Sequence, residues 1–253
     1  MPETVCICEN PSELAQRAAR HIADAATAAV SQRGRFSLCL SGGDTPVDTY
    51  SVLGSDLRES VPWAAVHVFW GDERCIPLDR PDNHFTLASA SLLSRVPIPP
   101  ENIHRPRGEA TDPAAAAIEY EAVLREWFGH PDHVPTLDLV LLGMGEDGHV
   151  ASLFPGSDGW AERERWVVDH HVVKRGERVR RLTLTMPVLT AAREVLVLVS
   201  GELKAEMLGA VLRGEADVPA RELNATAADV CWMVDARAAA ALAPMAVGEK
   251  GRR

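Results

Sequence analysis

Short runs of uninterrupted apolar residues recur along this chain, and each empties into a glycine-bearing loop. Arg35 to Leu40 runs into Ser41-Gly42-Gly43, and Val66 to Trp70 into Gly71-Asp72-Glu73-Arg74. Leu137 to Leu142 leads to Gly143-Met144-Gly145-Glu146-Asp147-Gly148-His149, and Glu194 to Ser200 to Gly201. Runs of this kind read as buried strands. Helical patterns lie between them. Asn10, Pro11 and Glu13 supply an N-cap, a first-turn proline and a capping-box acid ahead of Leu14, Ala18, Ile22, Ala26 and Ala29. Thr45-Pro46 with Asp48 starts a second helix, and Asn83 to Leu93 carries a third. Asp112-Pro113 opens a helix with Ala117, Tyr120, Leu124, Trp127 and Phe128 on one face, ended by Pro131 and Pro135; another carries Leu203, Met207, Leu208, Val211 and Leu212. Trp166 to Val173 and Val179 to Thr185 read as successive strands joined by a turn at Lys174 to Glu177, and Val230 to Val234 as a last strand before a helix from Asp235. The alternation predicts an α/β fold, a mainly parallel sheet with helices on both faces, doubly wound and Rossmann-like. Ligands of such sheets bind at the carboxyl ends of strands, the edge where every glycine loop named above lies.

Residues 1–245 are expected to form a single domain, with a frayed basic tail over 246–253. No window approaches the roughly 18 to 20 apolar residues of a membrane span, and Met1 to Asn10 has neither a basic flank nor a long apolar stretch, so the chain is read as cytoplasmic. A net charge of −10 disfavours nucleic acid and anionic membranes as partners. An anionic substrate then needs a local basic pocket. Cys6, Cys8, Cys39, Cys75 and Cys231 are odd in number and contain no CxxC pair, which suggests neither a disulfide framework nor a zinc knuckle. His130 and His133 lack further matched ligands, and His170 and His171 point to opposite faces of a strand, so no metal site is expected.

Four features carry chemistry. Ser41-Gly42-Gly43-Asp44-Thr45-Pro46 places free amides at a helix N-terminus, which attracts phosphate, although a Gly-Gly turn that merely joins two elements reads the same way. In Gly71-Asp72-Glu73-Arg74 the guanidinium can hold a phosphate bidentately and a carboxylate can orient substrate or water; a solvated loop ion pair is the plainer reading. His149 ends a flexible glycine loop, where Gly145 and Gly148 permit close approach to a ligand and Asp147 can hold the loop or the ring. Lys204 falls in the first turn after Gly201 and can reach the same edge or stay solvated, whereas Arg181 begins its strand, at the amino end, with less certain reach.

Together, SGGDTP at 41–46, GDERCIP at 71–77, GMGEDGHVASLFPG at 143–156 and RLTLTMPVL at 181–189 resemble the glucosamine-6-phosphate isomerase/6-phosphogluconolactonase family, on its lactonase side, over most of the chain. The deaminases of that family usually carry Phe-Asn-Glu-Pro-Gly where this chain has Ala151-Ser152-Leu153-Phe154-Pro155-Gly156, without the Glu. The resemblance implies cofactor-free hydrolysis of a phosphorylated sugar lactone, with no obligate protein partner. It implies His149 as general base, glycine-loop amides for the oxyanion, and Ser41, Gly42, Gly43, Thr45, Arg74 and Lys204 around the phosphate. Asp72 would stand near the sugar or the water, with Arg181 as a further substrate contact. Asp44, where the family has a small hydroxyl residue, is expected to turn its charge away from the phosphate, and Leu223-Asn224 replaces a common proline. Two rivals remain, an aldose–ketose isomerase or deaminase with Asp72 as carbon-acid base, and a silent sugar-phosphate sensor.

Without a convincing metal-ligand spacing in the sequence, turnover is expected to survive exhaustive chelation. Activity lost with EDTA and restored by zinc would overturn this.

Overall fold

Six strands form one all-parallel sheet in the order β1-β9-β8-β5-β2-β3, and three more form a small antiparallel sheet in the order β4-β7-β6. The large sheet comprises β1 (Thr4–Cys8), β2 (Phe36–Leu40), β3 (Val66–Trp70), β5 (Leu139–Gly143), β8 (Glu194–Val199) and β9 (Asp229–Asp235); the small one comprises β4 (Asp72–Arg74), β6 (Val167–Lys174) and β7 (Glu177–Leu184). The helices are α1 (Pro11–Arg33), α2 (Asp44–Gly54), α3 (His84–Ser91), α4 (Pro113–Phe128), α5 (Asp158–Ala161), α6 (Met186–Thr190), α7 (Ala205–Leu212) and α8 (Pro219–Glu222). The computed structural model describes residues 4–129, 133–174, 176–226 and 228–242; His130, Pro131, Arg175 in the expected turn and the tail over 246–253 lie outside the described residues. None of the helices is long and apolar enough to cross a membrane among those residues.

The period of two along each strand sorts the core into two layers. Leu38, Leu40, Leu139, Leu141, Leu196 and Leu198 face Leu14 and Ile22 of α1, Tyr50 and Leu53 of α2 and Ala88 of α3. Cys39, Val140, Leu142, Val195, Val197 and Val199 face Tyr120 and Leu124 of α4, Leu189 of α6, Leu208 of α7 and Leu182 of β7. Both faces are therefore covered, as unbroken apolar strands require.

Several elements depart from the sequence reading. Gly71-Asp72-Glu73-Arg74 is not a loop: Asp72–Arg74 pairs antiparallel with Arg181–Thr183 as β4. Thr4–Cys8 adds an unanticipated edge strand, half exposed at Ile7. Asp235 ends β9, and a 3-10 turn over Ala238–Ala241 is the one element that follows it among the described residues, where a helix was expected. Leu203 sits in a 3-10 turn ahead of α7 with 79% of its surface exposed, so it is not part of the apolar face. Gly129, left-handed at φ 69°, rather than a proline ends α4. Asn10 and Asp112 cap their helices as expected, although Glu13 accepts from Glu9 N rather than from the cap residue's own N–H.

β2 is followed in the chain by its outer neighbour β3, while β5, on its other side, is followed in the sheet by β8 and β9. Connections thus depart in opposite directions from adjacent strands, which opens a crevice above their carboxyl ends. The chain's two tyrosines finish the backbone bonding there. Tyr50 Oη accepts from Ser41 N at 2.9 Å and donates to Ser41 O at 2.7 Å, and Tyr120 Oη does the same for Trp70 at 2.8 and 3.0 Å.

Tyr120→Phe strands a buried N–H and a buried C=O at the edge of the sheet. It is expected to lower the unfolding free energy by about 1–3 kcal/mol in a urea titration. A loss under about 0.5 kcal/mol would mean that water replaces the phenol without cost.

Candidate active site

A cavity of about 570 Å³ opens above β2 and β5. Ser41, Gly42, Gly43, Thr45, Asp72, Arg74, Gly145, Asp147, His149, Arg181 and Lys204 all line it. Gly148 does not. Its Cα packs on Val218, where a Cβ would come within 2.6 Å, and its carbonyl accepts from Ala220 N.

At the β2 end, α2 begins at Asp44 with no side chain capping its first turn, so those amides stay available to a ligand. Asp44 is exposed at the rim and close enough to Lys204 to favour its charged form. Lys204 makes no ion pair among the described residues; burial pulls its pKa down, and Glu146, Asp235 and Asp44 push it back up. Arg181 lies mid-strand in β7 rather than at its start. It stands opposite Arg74, is 6% exposed, and leaves its Nε buried without a hydrogen bond. Burial pulls the Arg181 pKa down, the Asp72 carboxylate opposing it. Arg74 also pairs with Asp82.

Strand alternation divides the acids of Gly71-Asp72-Glu73-Arg74. Asp72 and Arg74 face the cavity, while Glu73, 1% exposed, points away and accepts from His84 N and Phe85 N at 2.8 Å each, capping α3. Asp72 Oδ2 accepts from Ser152 Oγ at 2.5 Å, and Oδ1 lies 3.2 Å from His84 Nδ1. Burial favours the neutral acid. The His84 imidazole, the Ser152 hydroxyl and Arg181 outweigh it and hold Asp72 well below the usual carboxylate range.

At the β5 end, His149 Nδ1 lies 2.5 Å from Asp147 Oδ1, and the ring stacks on Phe154 with centroids 4.1 Å apart. Although burial opposes it, the contact with His149 holds Asp147 below its ordinary range. An ionised carboxylate only accepts, so Nδ1 carries a proton directed at Asp147. The imidazole fits because residue 145 is glycine: a Cβ there would come within 2.1 Å of His149 Nδ1. Ala151, left-handed at φ 49°, turns the chain so that Ser152 reaches Asp72, and His170 Nε2 holds Ser152 O at 2.7 Å. His170 is buried and His171 exposed, as opposite faces require.

Sequence reasoning missed His84, Ser152 and Phe154. Ser152 and Phe154 lie in the ASLFPG run, but a hydroxyl and a ring carry no spacing signal, and His84 reads only as a helix start.

The family model for glucosamine-6-phosphate isomerases/6-phosphogluconolactonase matches residues 9–232. A 6-phosphogluconolactonase of Synechocystis sp. is 37% identical over 248 residues, covering 96% of this chain and all of the relative. One from Streptomyces coelicolor is 35% identical over 90% of each chain. Among solved structures, the 6-phosphogluconolactonase from Trypanosoma brucei superposes with a TM-score of 0.83 at 30% identity, over 96% of this chain and 99% of that one. A monomeric glucosamine-6-phosphate deaminase superposes at 0.79 with 25% identity, over 94% and 99%. On sequence and fold alike, the chain belongs to the glucosamine-6-phosphate isomerase/6-phosphogluconolactonase family.

Proposed function

We propose that this protein hydrolyses 6-phospho-D-glucono-1,5-lactone to 6-phosphogluconate, the lactone-opening step of the oxidative pentose phosphate pathway. The observation that carries this reading is the His149–Asp147 pair: Asp147 holds the ring by Nδ1 in the wall of a cavity that Arg74, Arg181 and Lys204 also line. Nε2 takes a proton from water as the water oxygen bonds to the lactone carbonyl carbon. Glycine-loop amides hold the resulting oxyanion. As the bond from that carbon to the ring oxygen breaks, the imidazolium returns the proton to the ring oxygen. The phosphate sits beside Ser41 against the amides of Gly42 and Gly43 and the charges of Arg74, Lys204 and Arg181. With both oxygens engaged, Asp72 orients sugar or water rather than accepting a proton.

The same fixed Asp72 disfavours the deaminase rival, which would need it as a carbon-acid base, and a silent sensor has no use for an aligned His–Asp pair. A cytoplasmic setting goes with this reading, supported by the free thiols of all five cysteines.

His149→Ala is expected to lower kcat by about 10²- to 10⁴-fold with little change in KM, measured as acid release from fresh lactone after subtracting spontaneous opening. A folded variant near the wild-type rate would exclude His149 as the base. Lys204→Ala is expected to raise KM and weaken the preference for phosphorylated over unphosphorylated lactone, since a charge-assisted bond is worth roughly 1.5–3 kcal/mol. Arg74→Ala acts in the same direction but less strongly, because Asp82 already shares that guanidinium. If both variants kept the wild-type preference, the phosphate would have to bind elsewhere.

A further inference from the structure

The buried imidazole of His84 takes no part in the steps above, yet it touches both Asp72 and the loop after β2. It opens α3, is 5% exposed and lines the cavity. Its Nδ1 lies 3.0 Å from the backbone oxygen of Asp72 and 3.2 Å from its carboxylate Oδ1. Both partners are acceptors, so Nδ1 carries a proton. The other edge of the ring lies against the phosphate loop. A Cβ on Gly42 would come within 2.1 Å of His84 Cδ2 and 2.3 Å of Nε2.

We propose that His84 is a positioning residue for the lactonase reaction: its Nδ1–H fixes the Asp72 carboxylate towards the substrate, and its ring braces the phosphate loop at Gly42. The inference rests on the lactonase reading. Ser152 Oγ donates to the other carboxylate oxygen, so the carboxylate is flanked on both sides, by that hydroxyl and by the imidazole, which is itself anchored to the Asp72 backbone oxygen. The surrounding charges agree. Around the pair stand Glu73 and Arg74 on β4, Arg181 on β7, Cys39 on β2 and Tyr50 on α2. Burial disfavours charge on His84, but Asp72 and Glu73 together raise its pKa. Without that ring, burial would push the Asp72 carboxyl up, with only Ser152 and Arg181 to oppose it.

The test compares His84→Phe, which keeps a ring beside Gly42 but no donor, with His84→Asn, whose amide can replace Nδ1–H. His84→Phe is expected to lower kcat about tenfold or more, and to steepen the acid limb of the kcat/KM profile from one proton towards two as Asp72 titrates in the same range. His84→Asn is expected to return kcat to within about threefold of wild type, with a one-proton limb. A folded His84→Phe protein with wild-type kcat and an unchanged limb overturns the proposal. So do two equally slow variants that both keep a one-proton limb, since that pattern marks packing alone. Should His84→Phe fail to fold, imidazole NMR titrations of wild type and Asp72→Asn decide. The His84 titration is expected to fall by about one pH unit or more in Asp72→Asn, and an unmoved titration overturns the coupling. A wild type without lactonase activity removes the functional reading and this role with it; an active wild type with an unaffected His84→Phe variant removes only the role of His84.

Discussion

Two adjacent parallel strands whose connections leave in opposite directions cannot roof each other over, and here that gap lies above β2 and β5. Everything chemical in the molecule is arranged around it. The glycine loop after β2 brings amides to one side, and the glycine loop after β5 brings an imidazole to the other. Because the gap must stay open, the strand ends beside it are finished by side chains from outside. Tyr50 and Tyr120 reach in from opposite faces of the sheet to complete the backbone bonding of Ser41 and Trp70. The two layers of the core are thereby tied to the rim of the site.

The small antiparallel sheet supplies what the parallel sheet cannot. Its β4–β7 pairing sets Arg74 directly opposite Arg181, an arrangement that repels when nothing lies between the charges. Asp72 and Asp82 offset part of it, and the buried, unbonded Nε of Arg181 leaves the rest for an anion. Three basic side chains, Arg74, Arg181 and Lys204, are thus gathered at one cavity in a chain whose net charge is −10.

The parallel core was legible in sequence because β2, β3, β5 and β8 are apolar on both faces and end in glycine, a pattern few other folds produce. The loops at the carboxyl edge were legible for the same reason. What escaped was set by pairing between distant segments. Nothing local marks Asp72 to Arg74 as a strand, since its partner lies more than a hundred residues on, at Arg181 to Thr183. Arg181 was placed too far from the site because its strand starts earlier than its apolar pattern does, at Glu177. Thr4–Cys8 is short and half exposed, and carries too weak an apolar pattern to stand out. His84 and Ser152 are ordinary residues made important by one buried carboxylate.

That carboxylate also explains how two aspartate–histidine pairs a few residues from one ligand do different work. In both, an acid held ionised faces a ring Nδ1. His149 leaves 23% of its side chain exposed and lines the cavity, the position that the proposed proton transfer to and from substrate requires. His84 is buried against the loop at Gly42, and in the proposed reaction it is the acid of that pair which meets the ligand. The order of the two groups relative to the cavity thus suits one pair to the proposed base and the other to the proposed brace. Exchanging them would put a weak base at the reacting carbon and a mobile proton in the core.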